Sequence, residues 1–141
     1  MNNPVRVLFV CDGGSARSRM AEGLLRAAAG DEFESCSAGI EAEAVPSEAG
    51  EVMNEIGIDI GTEPTPALND FEEKQFDYVI ALCDEANTAC LSFSRDAHNL
   101  HWTCPDPTLR QGDREQQLAA WRVARDELKR QIDNWLTEVR Q

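Results

Sequence analysis

The chain has 141 residues, of which 26 are acidic and 13 basic, for a net charge of −13. That length suits one domain over residues 1–141 with a sizeable core, and so negative a chain argues against nucleic acid and anionic membrane as partners. No apolar run reaches the ~18 residues of a membrane span and no charged-then-apolar leader opens the sequence, so a soluble, cytoplasmic protein is expected.

Val5 to Val10 reads as a buried strand, and a helix follows from about Ser18 to Ala29. Phe33 to Cys36 reads as a short second strand, closed by Ser37-Ala38-Gly39. Pro46-Ser47-Glu48 opens a helix through Val52, Met53 and Ile56, with Ser47 as the expected cap and Gly57 as the terminator. Tyr78 to Leu82 is a third strand, buried on both faces, and Asn99 to Trp102 a short fourth. The last helix, about Arg114 to Val139, carries Leu118, Trp121, Leu128, Ile132, Trp135, Leu136 and Val139, mostly at three- and four-residue spacing, as a core-facing stripe. Strands alternating with helices imply an α/β fold: a four-stranded parallel sheet in three layers, with helices on both faces. Ligands in such sheets bind beyond the carboxyl ends of the strands. Cys11 ends the first strand and Cys83 the third, so both thiols are expected on one rim.

The stretch Cys11-Asp12-Gly13-Gly14-Ser15-Ala16-Arg17-Ser18 has the makings of a nucleophile in an oxyanion cradle. A short glycine-containing loop can turn its N–H groups inward, with Gly13 and Gly14 supplying positive φ. The following helix points its positive end at the same place, and Arg17 adds a planar fork of donors. Such surroundings also favour the thiolate of Cys11. A strand, glycine turn and helix with a buried cysteine is also ordinary α/β punctuation; strand, glycines, serine and helix together favour the catalytic reading.

Five cysteines, an odd number in a leaderless chain, fit reduced or redox-active thiols better than a disulfide framework. Cys83 and Cys90 are seven positions apart. In a helix their Cα atoms lie ~10.5 Å apart, whereas a disulfide needs about 4.4–6.8 Å. Any redox role for this pair therefore requires the segment to unwind, and its polar residues, Asp84, Glu85, Asn87 and Thr88, are compatible with an easily melted turn. Asp106, between Pro105 and Pro107, is either a turn residue or a general acid held in place by rigid flanks. His98, His101 and Cys104 are weak evidence for a metal site, so neither metal nor cofactor is expected. Cys36 reads as a core residue.

With these motifs in place, the whole chain resembles the thioredoxin-coupled arsenate reductases, which share the low-molecular-weight protein tyrosine phosphatase fold. The resemblance runs from Val7 to the final helix. It rests on Cys11 to Ser18, Met20-Ala21-Glu22-Gly23, Ser37-Ala38-Gly39-Ile40-Glu41, Gly57-Ile58-Asp59-Ile60, Leu82-Cys83 with Cys90, His101-Trp102, Asp106-Pro107 and Arg125-Asp126-Glu127-Leu128. It implies that Cys11 attacks arsenate held by the loop from Asp12 to Ser18, while Asp106 protonates the departing oxygen. Cys83 then attacks Cys11, arsenite leaves, and Cys90 draws the disulfide to the Cys83–Cys90 pair for reduction by thioredoxin. The protein is expected to be a monomer. Reductases of this kind usually carry Thr, Asn and Cys where this chain has Asp12, Gly14 and Ala16. A carboxylate at Asp12 works against the Cys11 thiolate unless it points outward, so Asp12→Thr is expected to raise oxyanion affinity. The alternatives are a tyrosine phosphatase using Cys11, Arg17 and Asp106, disfavoured by Thr108 and Leu109 where an aromatic usually stands, and a non-catalytic arsenite-binding or oxyanion-sensing protein.

Overall fold

The computed structural model describes residues 4–12, 16–42, 44–93 and 97–140. Four parallel strands, β1 (Val5–Cys11), β2 (Phe33–Gly39), β3 (Tyr78–Ala81) and β4 (His98–His101), lie in the order β2-β1-β3-β4. Alternation along β1 divides the core. Val7, Phe9 and Cys11 face α1 (Arg17–Ala29), α2 (Ser47–Asn54) and α4 (Arg114–Val139), while Leu8 and Val10 face α3 (Asp84–Phe93). The expected three-layer α/β architecture is therefore present. No helix among the described residues is long and apolar enough to cross a membrane.

The expected stripe of α4 is buried through Leu118, Trp121, Leu128, Ile132, Trp135 and Leu136, with Val139 packed at its edge. Several boundaries differ from expectation. β2 runs on to Gly39, pairing Ser37, Ala38 and Gly39 with Phe9, Val10 and Cys11. Its buried serines do not interrupt it, because Ser37 donates to Glu22 Oε2 at 2.6 Å and Ser35 to the Glu22 carbonyl at 3.1 Å. β4 begins one residue early, at His98, in register with Tyr78. Ser47 does not cap α2: Pro46 occupies that position and the Ser47 hydroxyl turns to Glu48 at 3.0 Å. The expected stop at Gly57 is present, with φ at 79° and the pair of bonds Ile58 N–H to Met53 and Gly57 N–H to Asn54 that closes a Schellman motif.

Two of the sequence motifs meet in one contact. A Cβ on Gly23 of α1 would lie 2.9 Å from the Ile60 side chain and 3.1 Å from that of Ile58. Gly23 thus lets the Ile58–Ile60 segment pack directly on the helix that carries Arg17. Arg125 plays a similar part on α4. It donates to the Val52 carbonyl and to Glu55 at 2.9 Å each, tying α4 to the end of α2.

Candidate active site

Cys11 closes β1, fully buried, with its Sγ 3.2 Å from Ser18 Oγ in the first turn of α1. A hydroxyl at that distance can rotate to donate to a thiolate. The expected helix begins at Arg17, one residue early, and its preceding residue, Ala16, is buried with φ 57° and ψ 19°. Left-handed backbone at a residue other than glycine is strained by ~1–2 kcal/mol. The positive φ expected at Gly13 and Gly14 lies outside the described residues, as does Ser15; the described left-handed residue of this loop is Ala16.

Arg17 is 3% exposed. One terminal nitrogen donates to the Cys104 carbonyl at 2.7 Å, and the other lies 3.4 Å from Asp12 Oδ2. Asp12 therefore does not point outward; its carboxylate stands against the guanidinium. Cys104 had no place in the cradle on sequence grounds, because what it offers Arg17 is a backbone oxygen. Burial drives its thiol up to about 12, against the lowering effect of Arg17, and the charges of Cys11 and Asp106 reach it too. Cys104 thus ties Arg17 to the segment that leads into Asp106.

Asp106 does serve a turn. Its Oδ1 accepts from the Thr108 N–H at 2.9 Å and the Thr108 hydroxyl at 2.6 Å, capping a 3₁₀ turn over Pro107–Leu109. That cap uses one oxygen of the carboxylate and fixes the other's direction. His98, His101 and Cys104 turn to separate partners: His98 stacks on Tyr78, His101 Nε2 lies 3.3 Å from Asp84, and Cys104 Sγ lies 3.6 Å from the Pro105 carbonyl.

The second thiol stands one strand away. The Leu82 N–H donates to the Val10 carbonyl at 2.8 Å, so Cys83 follows directly on the residue beside Cys11. Cys83 caps α3: its Sγ accepts from the Ala86 N–H at 3.4 Å and its carbonyl from the Asn87 N–H at 3.0 Å. Burial raises its thiol above the ordinary value, partly offset by the Ala86 N–H and Arg17, while Asp12 and Cys11 push the same way as burial. Cys90 is helical, as the unwinding argument requires, and is 1% exposed against Leu8, Val10 and Ala86. Burial pushes its thiol up to about 12. Cys36, half-buried, packs at the edge of the same cluster.

A parallel α/β sheet with a strand-end thiol, a buried arginine in the first turn of the next helix and a second thiol on the adjoining strand tip defines a protein built around a cysteine at the carboxyl-end rim of its sheet. The chain belongs to the low molecular weight phosphotyrosine protein phosphatase family, which it matches over residues 6–141. It is 37% identical to an arsenate reductase of Halalkalibacterium halodurans over 132 residues, 94% of each chain. Among solved structures, an arsenate reductase in the intermediate state is 27% identical with a TM-score of 0.78, covering 96% of this chain and 98% of its own. A low molecular weight protein tyrosine phosphatase from T. tengcongensis is 28% identical with the same TM-score of 0.78, covering 95% and 99%.

Proposed function

We propose that this chain is a cytoplasmic, single-domain, monomeric arsenate reductase regenerated by thioredoxin. The observation that carries the reading is the position of Cys83, capping α3 one strand from Cys11, with Cys90 seven residues along the same helix. A phosphatase needs neither thiol. The relative from H. halodurans, named an arsenate reductase, supports the choice.

The Cys11 thiolate displaces one oxygen of arsenate, forming an S–As(V) bond, and Asp106 supplies the proton with which that oxygen departs as water. Arg17, with the loop that includes Gly13, Gly14 and Ser15, holds the remaining oxygens. Cys83 attacks Cys11 Sγ, a disulfide forms, and the S–As electron pair passes to arsenic, which leaves as As(III) arsenite. α3 then unwinds, freeing Cys90 to attack Cys83 and return Cys11 as thiolate. The Cys83–Cys90 disulfide is reduced by the dithiol of thioredoxin.

Arsenate-dependent NADPH oxidation with thioredoxin and thioredoxin reductase tests this. Wild type turns over repeatedly, Cys83→Ser does not, and Cys90→Ser stops after one cycle. A Cys83→Ser protein that turns over arsenate like wild type contradicts the reading. The second reading, a phosphatase using Cys11, Arg17 and Asp106, draws on the likeness to the T. tengcongensis enzyme. It predicts hydrolysis of an aryl phosphate unaffected by Cys83→Ser.

A further inference from the structure

Asp12 puts a carboxylate beside the guanidinium to which the proposed function gives an anion. Its Oδ2 is 3.4 Å from an Arg17 nitrogen, and the side chain is 31% exposed, so the carboxylate is open to solvent beside a guanidinium that is itself 3% exposed. Its charge reaches Cys83 on the neighbouring strand tip. An oxyanion seated on the Arg17 nitrogen that faces Asp12 therefore meets the Asp12 carboxylate.

A carboxylate accepts hydrogen bonds and donates none. Against a fully deprotonated oxyanion it is a like charge at close range, which disfavours binding. Against an oxyanion that still carries a proton, the same contact becomes an O–H···O⁻ hydrogen bond, of the short, charge-assisted kind. Arsenate and phosphate both hold at least one proton around neutral pH, whereas sulfate holds none. Sites built to accept a hydrogen bond discriminate strongly against the analogue that lacks the donor.

We propose that Asp12 is a specificity-determining residue that admits proton-bearing tetrahedral oxyanions and rejects sulfate. This rests on the reading of the Cys11–Arg17 rim as an oxyanion site and not on arsenate being reduced there. On this account Asp12 trades some affinity for all anions, through its hold on Arg17, for selectivity against an abundant isostere.

Calorimetric titration of the whole chain with phosphate and with sulfate tests it, at one slightly acidic pH and constant ionic strength. Wild type, Asp12→Asn and Asp12→Thr are compared, their folding checked by circular dichroism. Wild type is expected to bind phosphate at least ~10-fold more tightly than sulfate. In both variants that gap narrows by at least ~10-fold, chiefly because sulfate binds better. Equal binding of the two anions by wild type overturns the proposal. So does an equal gain for both anions in the variants, which makes Asp12 a uniform repeller, or an unchanged ratio. Absence of phosphate binding in all three proteins instead removes the oxyanion site itself.

Discussion

The guanidinium of Arg17 donates to the Cys104 carbonyl at 2.7 Å across 87 positions of the chain. This bond joins the start of α1 to the segment leading into Asp106, so the oxyanion fork and the proposed acid are held by one connection. Lysine lacks the planar fork needed to hold the carbonyl and an anion together. Arg17→Lys is expected to weaken phosphate binding and to lower kcat/KM by ~100-fold or more. Titration with phosphate and steady-state kinetics on the same preparation check it.

Ser18 stands 3.2 Å from Cys11 Sγ and can donate to the thiolate. Ser18→Ala is expected to slow alkylation of Cys11 at neutral pH by ~10-fold, the size of one hydrogen bond to a charged group. The rate is measured by mass spectrometry of the Cys11 peptide, with Cys36 as an internal reference. An unchanged rate shows that the hydroxyl does not serve the thiolate.

Gly23 trades helix propensity for close packing. Gly23→Ala recovers ~1 kcal/mol of propensity but drives a methyl to 2.9 Å from the branched Ile60 side chain, an overpacking of ~1–3 kcal/mol. A net loss of ~1 kcal/mol is expected in denaturant unfolding. Because the helix that shifts is the one bearing Arg17, phosphate binding falls in the same variant.

Cys90 and Cys104 are both raised to about 12 by burial, from an ordinary value of 9.0. A folded-state value above the unfolded one means that the stabilisation is complete below about pH 9 and drains away as the pH rises toward 12. Thermal stability is therefore expected to decline over that interval, and less steeply in Cys104→Ala than in wild type. At pH 8 both thiols should resist iodoacetamide in the folded protein and react on unfolding.

Much of this arrangement is legible in the sequence, because strand-ending thiols and 3.6-residue apolar stripes leave clear marks there. The rim shared by Cys11 and Cys83 follows from counting strands, and α4 from its periodicity. What sequence could not carry were bonds made by groups it does not display. Cys104 contributes a carbonyl, which every residue has. Ser37 reads as the close of β2 until Glu22, on another element, accepts its hydroxyl and that of Ser35. Ala16 adopts a backbone that its side chain disfavours. The direction of Asp12 was open for a related reason: a carboxylate next to a thiol can turn either way, and in the fold it stands against Arg17.

In the proposed cycle three thiols act in order, with α3 opening between the second and third. Peptide mapping after arsenate exposure, without thioredoxin, tests it most directly. Wild type should accumulate a Cys83–Cys90 disulfide with Cys11 free, and Cys90→Ser should trap Cys11 bonded to Cys83. Wild type that remains fully reduced after arsenate, with all five thiols alkylated on unfolding, together with Cys90→Ser that does the same with its four, would rule out this order.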